Sequence, residues 1–345
     1  MARASLTLCM IAAFSIAACG STKPPPAVEA PPPKKPVVAR RGFVVPQPLT
    51  TIPAHEAGVS ALAFSPDARF IVTGGSDDAT AKLWDLGKHA IVCEMGQSWP
   101  VTAVAFSPDG KRILTASSSV KVTSSGLSVT HGQLLAWDLP ACGEGTSFMG
   151  DARLLDDAAF SPDGKLVAGL ESKAHKVNLF NATTGAFLRA FDASEAGSPS
   201  LAFFPDGKTL AVGSDDGVDL LDLGNGTRRA TLEGAASDVV VSPDGAIIVT
   251  ANGPELRTWD ATGASVQVIK SLGDAGNTLA FSPDGRRLAS GAEDGTIKVW
   301  DVARGTLLET IRAHEDQVTA LAYSKDGALL ASAGHDGAVQ LWSIE

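Results

Sequence analysis

Short stretches of alternating apolar and polar residues, most about six residues long, follow one another along most of this chain. Val318–Tyr323 and Ala328–Ser332 are two of them, and Gly295–Trp300 alternates in the same way. A period of two is typical of half-buried β-strands, because successive side chains point to opposite faces of a sheet. Turn residues separate the stretches, so the pattern predicts many short antiparallel strands and an all-β fold.

The strands recur in seven repeats that are about 42 residues apart. Each repeat carries a turn of the Ser-Pro-Asp type, in which proline presets φ at the first corner and a following glycine accepts a positive φ. The seven copies are Phe64–Asp67, Phe106–Asp109, Phe160–Asp163, Phe203–Asp206, Val241–Asp244, Phe281–Asp284 and Tyr323–Asp326. In most repeats a Trp follows at the end of a later strand, usually with Asp after it, and this combination indicates the four-stranded blades of a β-propeller.

These repeats resemble those of the WD40 family over residues 49–345. The resemblance implies a seven-bladed β-propeller in which a His, a Ser or Thr, an Asp and a Trp form a hydrogen-bonded tetrad inside a blade. Two complete sets match: His55, Thr73, Asp78 (or its neighbour Asp77) and Trp84 in the first repeat, and His314, Ser332, Asp336 and Trp342 in the last. In the third and fourth repeats Phe180 and Leu221 replace the Trp, which predicts apolar packing there.

The last repeat ends soon after its third strand, at Glu345. Leu49–Pro53 precedes His55 in the same way as Leu308–Arg312 precedes His314. We therefore expect the N-terminal strand to supply the fourth strand of blade seven and so close the ring. Closure removes two sheet edges that would otherwise invite aggregation.

Residues 1–18 have the features of an export signal. Arg3 is followed by an apolar run from Leu6 to Ala18, which is too short for a bilayer core that needs about 20 residues. The run ends at Ala17-Ala18-Cys19-Gly20, which resembles the lipobox of bacterial lipoproteins and implies that Cys19 is lipidated. Cleavage after an ordinary small-residue site, with an incidental cysteine, is the alternative.

Residues 19–48 are predicted to be the lipidated cysteine and a proline-rich tether. Such a segment adopts extended polyproline II, at about 3.1 Å per residue, and would hold the propeller on the order of 80 Å from the lipid. The resemblance to lipoproteins implies a place in the bacterial cell envelope. Gly20 rather than Asp follows the cysteine, which resembles lipoproteins sorted to the outer membrane and implies that site, facing the periplasm or the cell surface.

The charge distribution narrows the choice of partners. The chain has a net charge of −10 at pH 7, and the propeller carries the negative excess because the tether is basic. An acidic body repels phosphate backbones, and 6% aromatic residues with a single tyrosine leave little surface for stacking bases. Nucleic-acid binding is therefore disfavoured, and the membrane is expected to be contacted through the lipid anchor alone.

The sequence offers no familiar catalytic or metal-binding motif. His55 and His314 occupy the tetrad position, and neither of the His-Glu pairs that they begin has a second histidine four residues on. Nucleophile-elbow, P-loop and Cys-x-x-Cys patterns are also absent. The inner strands are mainly apolar, with Asp157 and Asp238 as the notable carboxylates. We therefore predict a non-enzymatic protein without catalytic residues, metal or cofactor.

Two cysteines remain in the predicted propeller, Cys93 and Cys142. An oxidising compartment permits a disulfide between them. However, cysteines on neighbouring outer strands usually lie too far apart for the Cα separation of less than about 7 Å that a disulfide needs. The sequence therefore favours two free thiols.

The second repeat has eleven extra residues between its second and third strands, within Ser117–His131. Alternation on both sides of Ser125-Gly126 predicts a protruding hairpin. The WD40 resemblance places this insertion on the same face as the loops that enter each blade, and an exposed Trp99 beside it would suit a partner anchor. Packing of Trp99 under the insertion is the alternative. The candidate partner-binding residues are Glu56, Trp99, Val122, Leu127, His131, Glu315 and Asp316.

Together these features favour an outer-membrane-anchored scaffold that binds other proteins, as a monomer or within a hetero-complex. Two alternatives stay open. One is an envelope hydrolase or lyase that uses the central channel, and the other is a component of an outer-membrane assembly complex.

Overall fold

In a computed structural model of the protein, the described residues are 46–122, 128–148, 155–171, 174–194, 200–214, 216–270 and 278–344. The predicted signal peptide, Cys19 and the predicted tether up to residue 45 lie outside these residues. Within the described part of the chain, the regular structure is β-strand. No helix in that part is long and apolar enough to cross a membrane.

The strands form seven antiparallel four-stranded sheets, which are the blades. Blades one to three consist of β2 (Val59–Phe64), β3 (Phe70–Gly75), β4 (Thr80–Asp85), β5 (Ala90–Gly96); β6 (Val101–Phe106), β7 (Arg112–Val122), β8 (Ser128–Asp138), β9 (Gly143–Ser147); and β10 (Asp157–Phe160), β11 (Leu166–Glu171), β12 (Lys176–Asn181), β13 (Phe187–Asp192). Blades four to six consist of β14 (Leu201–Phe203), β15 (Thr209–Gly213), β16 (Gly217–Asp222), β17 (Arg228–Glu233); β18 (Asp238–Val241), β19 (Ile247–Asn252), β20 (Glu255–Asp260), β21 (Ser265–Lys270); and β22 (Thr278–Phe281), β23 (Arg287–Gly291), β24 (Thr296–Asp301), β25 (Thr306–Arg312).

Blade seven contains the first and the last strands of the described residues. It is formed by β26 (Val318–Tyr323), β27 (Leu329–Gly334), β28 (Ala338–Ser343) and the N-terminal β1 (Thr50–Pro53). β1 pairs with β28 in antiparallel register, with Ile52 opposite Val339. The innermost strand of each blade contacts that of the next, and β26 contacts β2. The predicted seven-bladed β-propeller, closed by its N-terminal strand, is confirmed.

The middle strands of the blades are more buried than alternation predicts. All five residues of β15 are buried, as are five of the six residues of both β3 and β27. Each sheet is covered on both faces by neighbouring blades, so both sets of side chains enter the core. In blade three, Phe180 is 2% exposed and packs edge-on against Phe148 and Phe187. At this position most of the other blades have a Trp that donates a hydrogen bond to a Ser or Thr hydroxyl.

The Ser-Pro-Asp turns are held by side-chain hydrogen bonds as well as by proline and glycine. In blade one the Ser65 hydroxyl donates to Asp67 at 2.6 Å, and the Phe70 amide donates to Ser65 at 2.9 Å. Blades two, three, five, six and seven repeat both bonds. The serine hydrogen bond lowers the pKa of Asp67 and of the five equivalent aspartates, which stay ionised in these turns.

The two cysteines of the propeller form a disulfide, with a Cα–Cα distance of 6.4 Å. The prediction of two free thiols is therefore wrong. It relied on the usual separation of two outer strands, but only Cys93 lies on one, β5. Cys142 lies in the turn between β8 and β9, and this turn reaches β5 of the neighbouring blade.

Candidate functional site

The antiparallel blades place their connections at two opposite ends. Loops between the second and third strands share one end with the loops that lead from one blade to the next, and we call this end the upper face. It includes residues 54–58, 76–79, 97–100, 313–317 and 335–337. The turns at 65–69, 86–89, 107–111 and 139–142 lie at the other end, the lower face. The described part of the blade-two hairpin belongs to the upper face, as do Glu56, Trp99, His131, Glu315 and Asp316.

In blade one the structure brings the four tetrad residues together. His55 Nδ1 lies 2.7 Å from Asp78 Oδ2, and His55 Nε2 lies 2.9 Å from Thr73 Oγ1. Trp84 Nε1 donates to the same hydroxyl at 3.1 Å. Burial lowers the pKa of His55, so the ring is neutral, donating to Asp78 and accepting from Thr73. The network joins the loop entering the blade to its second and third strands and to the turn between them, and it leaves His55 no nitrogen for catalysis.

Blade seven has the same arrangement. His314 Nδ1 lies 3.0 Å from Asp336 Oδ2, and His314 Nε2 lies 2.8 Å from Ser332 Oγ. Trp342 Nε1 donates to Ser332 at 3.0 Å. Both histidine nitrogens are thus engaged within the blade, which gives these residues a structural role.

Blade two has an incomplete version of this network. Trp137 Nε1 still donates to Thr115 at 2.9 Å. However, Gln97 replaces the histidine of the tetrad, because it lies four residues before Val101 as His55 lies four residues before Val59. Ser117 occupies the place of Gly75, where an added Cβ would meet the ring of His55 and the carboxylate of Asp78. Both amide atoms of Gln97 and the hydroxyl of Ser117 are buried without a hydrogen-bond partner among the described residues. The sequence alone would have shown this difference from the tetrad pattern if the repeats had been aligned on these two positions. Counting turns and tryptophans does not show it.

Trp99 and His131 stack at the base of the blade-two hairpin. Their ring centroids are 5.5 Å apart and the rings are inclined by only 3°. Trp99 is half-buried and His131 is exposed. Beside them the Ser98 amide donates to Gln133 Oε1 at 3.3 Å. The indole is therefore not free in solvent, because His131, at the end of the insertion, stacks on one side of it.

The hairpin itself continues the pairing of β7 and β8 well beyond the other blades. Val120 pairs with Thr130, and Val122 pairs with Ser128. This antiparallel pairing agrees with the predicted hairpin. Residues 123–127, including Leu127, and the side chain of Val122 lie outside the described part of the structure.

The remaining candidate residues lie on neighbouring loops of the upper face. Glu56 is exposed in the loop that enters blade one, and Glu315 and Asp316 are exposed in the loop that enters blade seven. The Glu315 amide donates to Asp336 at 3.4 Å, so the tetrad of blade seven also orders this loop. The structure brings Trp99 and His131 into contact but gives no contact between them and these three acidic residues.

The two carboxylates of the channel act as links between blades. Asp157 accepts the Leu201 amide of blade four at 2.9 Å, and Asp238 accepts the Leu279 amide of blade six at 2.7 Å. Ser200 donates to the other oxygen of Asp238 at 2.7 Å. Both aspartates line a cavity of about 410 Å³. Since all four carboxylate oxygens already accept hydrogen bonds, this arrangement favours a structural role over catalysis.

Other blades make the same link with a hydroxyl group. Ser60 donates to the Val101 carbonyl at 2.6 Å, and Thr102 donates to the Leu155 carbonyl at 3.0 Å. Thr319 of blade seven donates to the Val59 carbonyl of blade one. No group of three or more His, Cys, Asp or Glu side chains that could hold a metal ion occurs among the described residues.

Asp157 makes the stability of the propeller dependent on pH. Burial raises its pKa to about 7, above the value of 3.8 for an exposed aspartate. Between about pH 4 and pH 7 the folded protein therefore binds more protons than the unfolded chain, and this contribution to stability is lost as the pH rises through that window. We expect Asp157→Asn to gain stability relative to the wild type as the pH rises from 4 to 8. Denaturant unfolding at several pH values measures this, and parallel curves for the two proteins would contradict it.

Comparison with known proteins supports the fold. Five segments match the WD40 family (WD domain, G-beta repeat), at residues 46–85, 91–122, 185–218, 269–301 and 305–343, and together they cover just over half of the chain. The stretch 123–184, which contains part of the blade-two insertion and most of blade three, lies outside these matches.

Two WD repeat proteins are among the relatives that match part of the chain. WD repeat-containing protein SL1-17 of Schistosoma mansoni is 31% identical over 148 residues, which are 41% of this chain and 49% of the relative. An uncharacterized WD repeat-containing protein of Synechocystis sp. is 29% identical over 138 residues, 38% of this chain and 39% of the relative. The chain thus spans less than half the length of either relative. With its repeated turns, tetrads and seven four-stranded blades, the chain belongs to the WD40 repeat family.

Proposed function

We propose that this protein is a scaffold that binds a protein partner through the upper face of blade two. WD40 propellers are typically interaction scaffolds and generally non-catalytic. The observation that carries the proposal is the stack of Trp99 on His131 at the base of the extended hairpin. Tryptophan is enriched among the residues that dominate binding energy, and an indole held in one orientation loses little entropy on binding.

The surroundings of the stack also suit an interface. Ser98 and Gln133 provide polar groups beside the rings, and the hairpin extends the surface that a partner could contact. Exposed Glu56, Glu315 and Asp316 lie on loops of the same face. By contrast, the histidines of both tetrads already form hydrogen bonds within the protein, and so do the channel carboxylates. This supports binding rather than catalysis.

We further propose that Cys19 anchors the scaffold to the outer membrane of a bacterial envelope. The apolar run Leu6–Ala18 and the position of Cys19 directly after it support this. The disulfide between Cys93 and Cys142 fits an oxidising compartment. Cys19→Ser is expected to move the protein from the membrane fraction to the soluble fraction of lysed cells. A variant that still sediments with membranes would contradict lipid anchoring.

Trp99→Ala is expected to weaken partner binding by about 2 kcal/mol or more, which is roughly a 30-fold rise in Kd. His131→Ala should have a smaller effect in the same direction, and His131→Phe should restore binding because it restores the stacked ring. Quantitative co-purification of crosslinked partners from cells measures this. Val266→Ala, at a residue that is 65% exposed on β21, is the matched control.

All variants should unfold at the wild-type temperature, so that lost binding reflects the surface and not the fold. Equal recovery of the same partners with the wild type, Trp99→Ala and a variant lacking residues 119–129 would overturn the proposed face.

A further inference from the structure

A groove on the lower face crosses the boundary between blades one and two, at the opposite end of the propeller from Trp99. It encloses about 540 Å³, within the range of about 300–1,000 Å³ that is typical of small-molecule sites. Its apolar surface is formed by Phe70, Leu83, Val92, Leu139 and Pro140. We call this feature the lower groove.

The disulfide holds the two sides of the lower groove together. Cys93 follows Val92 on β5, and Cys142 lies in the same turn as Leu139 and Pro140, two residues after the proline. A covalent bond thus joins the blade-one wall to the blade-two wall. Because the walls are held in place, the site loses little conformational entropy when a ligand enters, which favours ligand binding.

The rim of the lower groove carries three basic side chains, from Arg69, Lys88 and Lys111, and three acidic ones, from Asp67, Asp85 and Asp109. The side chains of Arg69 and Lys88 are 59% and 73% exposed, whereas Asp85, with which both pair at 3.5–3.6 Å, is 4% exposed. Lys111, from blade two, is also exposed. These three side chains are long and can reach over the groove.

The two exposed carboxylates of the rim are each engaged through one oxygen. Asp67 accepts the Ser65 hydroxyl and the Arg69 amide, and Asp109 accepts the Ser107 hydroxyl and the Lys111 amide. In each turn both hydrogen bonds go to Oδ1, so one oxygen of each short carboxylate is held within its own Ser-Pro-Asp turn. An anion above the groove can pair with the long basic side chains of Arg69, Lys88 and Lys111.

We infer that the lower groove binds a small amphipathic anion, with an apolar chain or ring in the groove and one carboxylate or similar group at the rim. This site is separate from the proposed partner surface. Its occupant is a soluble small molecule, since the apolar surface lies in a recess between two blades and not on a broad exposed plane.

Calorimetric titration of the full chain with decanoate tests this inference. We expect saturable binding at one site, and much weaker binding of decylammonium, which has the same chain and the opposite charge. Val92→Glu places a negative charge on the apolar wall, and Lys111→Glu reverses a rim charge. Each should weaken decanoate binding roughly tenfold.

The repeat offers a matched control. Arg286 follows Ser282-Pro283-Asp284-Gly285 as Lys111 follows Ser107-Pro108-Asp109-Gly110, so Arg286→Glu makes the same charge change at another blade. It should leave decanoate binding unchanged, as should Trp99→Ala. Absence of saturable binding, equal binding of decylammonium, equal effects of Lys111→Glu and Arg286→Glu, or binding of phosphatidylglycerol vesicles without binding of decanoate would each overturn the inference.

Discussion

Deleting residues 48–53 is expected to destabilise the whole propeller by at least about 3 kcal/mol. The deletion removes β1 and with it the buried Ile52, which packs with Val339 and Leu341 in the core between blades seven and one. Burial of one such side chain alone contributes about 1.5–3 kcal/mol. The loss also exposes the backbone of β28 as an unpaired edge, which promotes association with other chains.

Thermal unfolding followed by circular dichroism measures this effect. We expect one cooperative transition at a temperature lower by roughly 6–12 °C, because each kcal/mol shifts the Tm of a large domain by about 2–4 °C. Deletion of residues 42–47, an equal length of chain that leaves β1 intact, is the control. An unchanged Tm after deletion of residues 48–53 would show that β1 does not hold the ring closed.

Replacing both Cys93 and Cys142 with serine is expected to cost about 4 kcal/mol of stability. The bond joins residues 49 positions apart, and closing a loop of that length removes much conformational freedom from the unfolded chain. It also joins blade one to blade two, near Trp137 and Phe106 in their shared core.

Denaturant unfolding of the oxidised wild type and of the double variant gives the size of this effect. A reductant should lower the stability of the wild type to that of the variant and leave the variant unchanged, which serves as the internal control. If the two proteins unfold at the same denaturant concentration without reductant, the disulfide has no stabilising role.

The predictions that succeeded depend on local chemistry repeated along the chain. A Ser-Pro-Asp turn such as Ser65–Asp67 specifies its own hydrogen bonds, so counting turns gave the number of blades. The blade-two hairpin followed from alternation on both sides of Ser125-Gly126, because pairing of β7 and β8 keeps side chains of one kind on one face. Closure by β1 followed from the likeness of Leu49–Pro53 to Leu308–Arg312.

The features that the sequence left undetermined depend on how blades meet. Three such features involve residues of different blades. They are the disulfide between Cys93 and Cys142, the lower groove, and the hydrogen bond from Leu201 to Asp157. Alternation within one strand carries no information about these distances. Likewise, the half-buried state of Trp99 depends on His131, which lies 32 positions further along the chain.

Site-specific photo-crosslinking in intact cells tests the proposed function most directly. A photoreactive residue in place of His131 or Ser98, both exposed on the upper face of blade two, should crosslink to one and the same protein. The same residue in place of Val266 on the outer rim, or of Lys111 on the lower face, should not. A partner captured equally from all four positions, or only from positions 266 and 111, would contradict binding through blade two.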